Sequence, residues 1–191
     1  MRSTNVLLAA LAAAPLAVSA AGTLGFALGM NNPDGSCKQT SDYEADFTAL
    51  KPYTTLVRTY AAGQCNQAQN IIPAAKNSGF QVLLGIWSVQ NILTVGAPAD
   101  RKLARPDTEE SYNTDVAALN ASVPGNEDVV FGITVGSETL YRGNFTGEQL
   151  FNLIQGVQSI FPNVLIGTAD SWNKYADGTA DPLITGGVKL L

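Results

Sequence analysis

The 191-residue chain contains no histidine. That absence removes Ser-His-Asp and Cys-His nucleophile systems, HExxH zinc sites and most catalytic metal sites, which leaves carboxylates to move protons. Cysteine is almost as scarce: Cys37 and Cys65 are the two present, so no CxxC redox or zinc arrangement exists. In an oxidising compartment these two most simply pair with each other, closing a loop whose chain entropy is worth about 3 to 4 kcal/mol. Charge is sparse, with 14% Asp, Glu, Lys and Arg and a formal net charge of -5. The acids are scattered rather than blocked, which suits a neutral ligand and disfavours nucleic acid and anionic membranes as partners. Glycine motifs for nucleotides are missing too: Gly22, Gly25 and Gly29 do not make GxGxxG, and neither a P-loop nor GxSxG occurs. No cofactor and no metal are expected.

What is present begins with a leader. Arg2, an apolar stretch over 6–18 and the small-residue run Val18-Ser19-Ala20 read as a secretory signal peptide over residues 1–20. Its apolar run is shorter than the roughly 20 residues that span a bilayer, and no later segment reads as a membrane span. Loss of Arg2 with the leader makes the remainder, residues 21–191, one unit more negative. Two sequons, at Asn120 and Asn144, are compatible with N-glycosylation on a secretory route.

Beyond the leader, β-rich runs alternate with helical patterns. Runs at 23–29, 54–60, 81–87, 129–136 and 164–169 are separated by helical patterns at 42–50, 67–77, 108–119 and 147–160. Such alternation predicts a parallel α/β sheet, and strand cores that are apolar at successive positions, as at 82–86, predict burial on both faces. Ser41 with Glu44, and Asp107 with Glu110, have the spacing of helix-start capping boxes. Tyr43, Phe47 and Leu50, and likewise Leu150, Ile154, Val157 and Phe161, recur at helical spacing and are expected in the core. The connection at 88–106 is long for a βα loop and leaves a strand end, a candidate cleft wall. Val188-Lys189-Leu190-Leu191 reads as the start of a sixth strand. Since a closed eightfold barrel needs about 250 residues, the chain is expected to be one truncated after about five βα units.

The C-terminal strand ends carry the chemistry. They hold Arg58 and Tyr60, Trp87, Ser137 and Glu138, then Asp170, Ser171 and Trp172. The run Val129-Val130-Phe131-Gly132-Ile133-Thr134-Val135-Gly136-Ser137 delivers Glu138 to the rim where parallel α/β barrels place their chemistry. Aromatic faces stack on the C–H faces of sugar rings while hydroxyls and carboxylates select ring hydroxyls, so this rim suits a neutral polysaccharide. Arg58 is either a contact in that site or a counter-charge for barrel carboxylates, and Asp170 either a ligand contact or a structural acceptor.

Three blocks carry a wider resemblance: Val57-Arg58-Thr59-Tyr60 with Cys65-Asn66-Gln67, Val135-Gly136-Ser137-Glu138-Thr139-Leu140-Tyr141-Arg142, and Gly167-Thr168-Ala169-Asp170-Ser171-Trp172. Together they resemble fungal glycoside hydrolase family 17. The resemblance implies a (β/α)8 TIM barrel acting on β-1,3-glucan, with Glu138 as acid/base after strand four and a nucleophile Glu after strand seven. No residue here matches that nucleophile, which is expected beyond Leu191. Ser137 stands where the wider clan usually has Asn. Tyr60, Ser137, Tyr141, Asp170 and Trp172 are expected to bind substrate, and a proton donor of this kind implies an acidic optimum.

The expected protein is therefore a secreted, monomeric cell-wall β-1,3-glucan hydrolase of the retaining, endo-acting type. A β-1,3-glucanosyltransferase shares the same covalent intermediate and differs in whether a sugar or water accepts it. A non-catalytic glucan-binding wall protein would keep the rim without turnover. An inverting pair of Asp170 with Glu138 is the third arrangement, distinguished by the anomer first released.

Overall fold

The computed structural model describes residues 24–87 and 107–191, without the side chains of 107–111. The expected leader and the connection at 88–106 lie outside the described residues, as do the side chains of the expected Asp107 and Glu110 cap. Five parallel strands, β1 (Gly25–Ala27), β2 (Leu56–Arg58), β3 (Gln81–Ile86), β4 (Val130–Ser137) and β5 (Ile166–Ala169), lie side by side in chain order. Between them run α1 (Thr40–Leu50), α2 (Gln67–Ser78), α3 (Asp107–Ser122) and α4 (Gly147–Ile160), followed after β5 by the short α5 (Trp172–Ala176) and α6 (Asp181–Thr185). A doubly wound sheet reverses its strand order midway, whereas sequential order with one helix layer is how a barrel wall curls.

Alternation along the strands sorts the side chains onto two faces. Val57, Val82, Leu84, Ile86, Ile133 and Val135 are buried in the main core, against helix residues Tyr43, Phe47, Ile71, Leu119, Leu150, Ile154 and Val157. Strand partners Leu56, Arg58 and Leu83 on the opposite face are only half-buried, and Gly25 and Ala27 are exposed. The apolar mass thus lies between sheet and helices, and the other face is more open. The Phe47 and Phe80 rings stack with centroids 4.4 Å apart, closing the core beneath α1.

Helix α1 begins two residues earlier than the Ser41 and Glu44 spacing predicts. Its cap is Gln39, whose backbone N–H donates to Asp42 Oδ2 at 2.8 Å. Asn32 also donates to Asp42, at 3.2 Å, so a preceding loop residue selects that register, while Glu44 accepts from Asn77 of α2. Helix α4 starts with a box between Thr146 and Gln149. The expected sixth strand is present as a single parallel bridge, Gly167 to Leu190, with Thr168 N–H donating to the Leu190 carbonyl at 3.0 Å.

Cys37 and Cys65 are disulfide-bonded, joining the loop before α1 to the 3-10 turn at Gln64–Asn66 that leads into α2. Their separation of 28 residues gives the bridge a sizeable loop to close. Replacing both cysteines with serine is expected to lower stability by about 3 kcal/mol, measured by denaturant titration against the unreduced protein.

Candidate active site

Strand β4 is shaped to turn a carboxylate outward at its end. Its pairing with β5 is regular through Thr134, then shifts so that Ser137 faces Ala169. The shift passes through Gly136 at φ 76°, a left-handed conformation open to glycine at no steric cost. Glu138 follows at φ 55°, also left-handed, where a residue with a Cβ is strained by about 1–3 kcal/mol. Something must hold it there. Glu138 N–H donates to the Ala169 carbonyl of β5 at 2.9 Å, and its own carbonyl accepts from Arg142 N–H at 2.9 Å.

The turn after Glu138 is gripped by Asp170. One carboxylate oxygen accepts from Leu140 N–H at 2.7 Å, and the other accepts from Tyr141 N–H at 3.0 Å and Ser171 N–H at 2.8 Å. Asp170 therefore organises the loop carrying Glu138, the structural side of the alternatives its sequence position left open. The Glu138 carboxylate is itself paired with Arg142, Nη2 to Oε2 at 2.9 Å. Both side chains are about half exposed, and an i,i+4 pair of that kind is worth about 0.3–0.5 kcal/mol.

Arg58, Tyr60, Trp87, Ser137, Glu138, Arg142, Ala169 and Asp170 line a cleft of about 400 Å³. Arg58 Nη2 donates to Ser137 Oγ at 3.3 Å, and its guanidinium lies 4.8 Å over the Tyr60 ring. Tyr60 and Trp87 meet edge to face, centroids 5.8 Å apart at 86°. Trp87 is 39% exposed, so it is a wall of the cleft rather than core. A more apolar hollow of about 360 Å³, lined by Met30, Tyr60, Ala61, Gln64 and Trp87, shares the same aromatic pair.

Of the expected site residues, the fold brings Glu138, Ser137, Tyr60 and Asp170 into one cleft, together with Arg58 and Trp87. Tyr141 and Trp172, 56% and 79% exposed, stand on the rim outside its lining. The sequons fall apart from one another, Asn120 exposed on α3 and Asn144 half-buried in the loop after Glu138. Among the described residues no group of three or more His, Cys, Asp or Glu could hold a metal ion, and no helix is long and apolar enough to cross a membrane.

Sequence reasoning missed Asp115. It is fully buried on α3, and its two oxygens accept from Gly63 N–H at 2.7 Å and Trp87 N–H at 2.9 Å. Burial pushes its carboxyl above the usual range, against the two amide bonds, which lower it. A signal was there: Asp115 sits at helical spacing from Tyr112 and Leu119, an acid on the buried stripe of its helix.

Parallel strands in sequential order, with an acid just past the end of the fourth beside an aromatic cleft, are the arrangement of part of an α/β barrel wall that carries its site at the C-terminal strand ends. Residues 25–186 match the family described as the BtgE/BtgC glycoside hydrolase domain, and the chain belongs to that family. It is 58% identical over 191 residues to a glucan 1,3-beta-glucosidase of Arthroderma benhamiae, covering all of this chain and 56% of that protein. A glucan 1,3-beta-glucosidase of Saccharomyces cerevisiae is 39% identical over 173 residues, 84% of this chain and 50% of its own. Among solved structures, an active-site mutant of Rhizomucor miehei beta-1,3-glucanosyltransferase in complex with laminaritriose superposes with a TM-score of 0.63 at 31% identity, over 84% of this chain and 54% of that one. A second structure of that organism's enzyme, described as glycoside hydrolase family 17, gives the same TM-score, in agreement with the resemblance read from the three sequence blocks. The chain thus spans about half the length of the relatives it matches.

Removing the Asp170 carboxylate orphans three backbone amides at once. Asp170→Ala is expected to cost about 1.5–3 kcal/mol in stability, and to raise proteolytic cleavage within 139–143; denaturant titration and limited proteolysis measure the two effects.

Proposed function

We propose that this chain supplies the acid/base carboxyl and part of the sugar-binding cleft of a retaining β-1,3-glucan hydrolase. The observation that carries the reading is Glu138: a strained residue at the end of β4, pinned to β5, opening on a cleft walled by Tyr60 and Trp87. Strain of this sort collects at functional sites, where the surrounding structure over-determines it. Glu138 donates its proton to the glycosidic oxygen as the bond to the anomeric carbon breaks, then takes a proton from the incoming water.

A retaining reaction needs a second carboxylate about 5 to 5.5 Å from the first to attack the anomeric carbon. The other carboxylate lining the cleft is Asp170, and its oxygens are already engaged by three amides. That engagement argues against an inverting pair of Asp170 with Glu138 and favours a nucleophile other than Asp170. The Arg142 pair is weak enough to yield when a glucan residue enters. Tyr60 and Trp87 offer ring faces and edges to the sugar, Ser137 a hydroxyl, and Tyr141 and Trp172 extend apolar surface along the rim.

Transfer to a second glucan is the companion reading, favoured by the likeness to the Rhizomucor miehei glucanosyltransferase; lengthened laminari-oligosaccharides among the products distinguish it from hydrolysis. Secretion to the cell wall belongs to the same proposal, supported by the leader-like residues 1–20 and by the Cys37–Cys65 bridge, since disulfides persist in oxidising compartments. The protein acts as a monomer in this reading.

Glu138→Gln keeps the shape and removes the proton. The full-length protein carrying it is expected to lose about 10²–10⁴-fold in the release of reducing ends from laminarin, the usual worth of a general acid, with laminaritriose still bound. Undiminished release would remove Glu138 from the chemistry.

A further inference from the structure

Two loops carry the aromatic wall of the cleft, and one buried acid holds both. Tyr60 follows β2 and Trp87 follows β3, so nothing in the local sequence of either strand sets the distance between their rings. Asp115 does so from behind. Its Oδ1 accepts from Gly63, three residues after Tyr60, and its Oδ2 accepts from Trp87 itself. The approach is close on the helix side as well: a methyl on Gly63 would lie 2.6 Å from Thr114 Cγ2 and 2.8 Å from the Thr114 carbonyl, so the 61–66 turn rests directly on α3.

A fully buried carboxylate is a costly way to satisfy two amides, because the charged form loses its hydration. Its value is geometric, since a carboxylate offers two acceptor oxygens and no donor, whereas Asn at the same place would meet one of the two amides with an N–H. The object so fixed is the Tyr60 and Trp87 pair, which lines both the 400 Å³ cleft containing Glu138 and the 360 Å³ apolar hollow beside Met30 and Gln64. Sugar rings stacking on that pair need it to stand still.

We propose that Asp115 is a positioning residue for substrate binding, a buried clamp that sets the aromatic pair shared by the two hollows without touching the glucan. The substrate part of this inference rests on the glucan reading of the cleft; the clamp itself does not. Binding rather than chemistry is what the clamp controls, because Glu138 is held separately by Ala169 and by the Asp170 turn.

The chain has two tryptophans, Trp87 and Trp172, which makes the test direct. In the full-length protein carrying Trp172→Phe, the emission of Trp87 is read as the difference from the same protein that also carries Trp87→Phe. Asp115→Asn is expected to shift Trp87 emission to the red and to increase its quenching by acrylamide, with the circular dichroism unchanged. In the protein with both tryptophans, the same substitution should weaken laminaritriose binding and raise KM for laminarin by about threefold to tenfold, the equivalent of one hydrogen bond lost, with kcat within twofold. Trp87→Ala should weaken binding at least as much, and adding Asp115→Asn to it should do nothing further. Unchanged Trp87 emission and quenching in Asp115→Asn would overturn the clamp whatever the substrate. Altered fluorescence with unaltered laminaritriose affinity, or additive losses in the double variant, would overturn its role in binding. Failure of the unsubstituted protein to bind laminaritriose would instead sink the glucan reading, and the substrate half of this inference with it.

Discussion

Asp170 is the constraint on which the site depends. Its carboxylate accepts three backbone amides, two of them from the turn that follows β4, and so ties that turn to the end of β5. Alongside it, Glu138 N–H reaches the Ala169 carbonyl. Through these bonds the neighbouring strand imposes the left-handed backbone of Glu138, a conformation the residue would not choose alone. An isolated β4 with its loop could not do the same. The position of the acid is a property of two adjacent strands of a parallel sheet, and sequential strand order is what makes them adjacent.

The opposite wall of the cleft is built on the same plan with other residues. Asp115 grips Gly63 and Trp87 as Asp170 grips Leu140, Tyr141 and Ser171. In both cases a carboxylate takes up backbone N–H groups that the strand ends leave without ladder partners, which buried polar groups require. The difference lies in solvent: Asp115 is sealed on the buried face of α3, while Asp170 borders the cleft. Between the two anchored loops, Arg58 bridges Tyr60 to Ser137 and links the aromatic wall to the strand that bears Glu138.

Much of this architecture was legible in the amino-acid order. Apolar β-branched runs alternating with helical spacing located the five strands of the described residues, and Tyr43, Phe47, Leu150, Ile154, Val157 and Phe161 are buried as their periodicity predicts, while Leu50 is half-buried against them. Glu138, Ser137, Tyr60 and Asp170 could be placed at one rim because parallel strands point their C-terminal ends the same way. Three features were not legible. Helix α1 starts at Thr40 because Asn32, distant by ten residues, engages Asp42, and local spacing cannot weigh that contact. The dual grip of Asp170 depends on pairing register between β4 and β5, which shifts at Gly136. Asp115 reads as an ordinary helix acid until its face of α3 is known to be the buried one, and its partners lie 52 and 28 residues away.

In the proposed function Glu138 is the proton donor, and leaving-group dependence probes that role most directly. A dinitrophenyl leaving group departs without protonation, whereas the glycosidic oxygen of laminarin does not. With Glu138→Gln in the full-length protein, the rate of glycosyl-enzyme formation should stay near that of the unsubstituted protein on a dinitrophenyl β-laminarioligosaccharide while collapsing on laminarin. An equal loss on both substrates would contradict the assignment and leave Glu138 a residue of structure or binding alone.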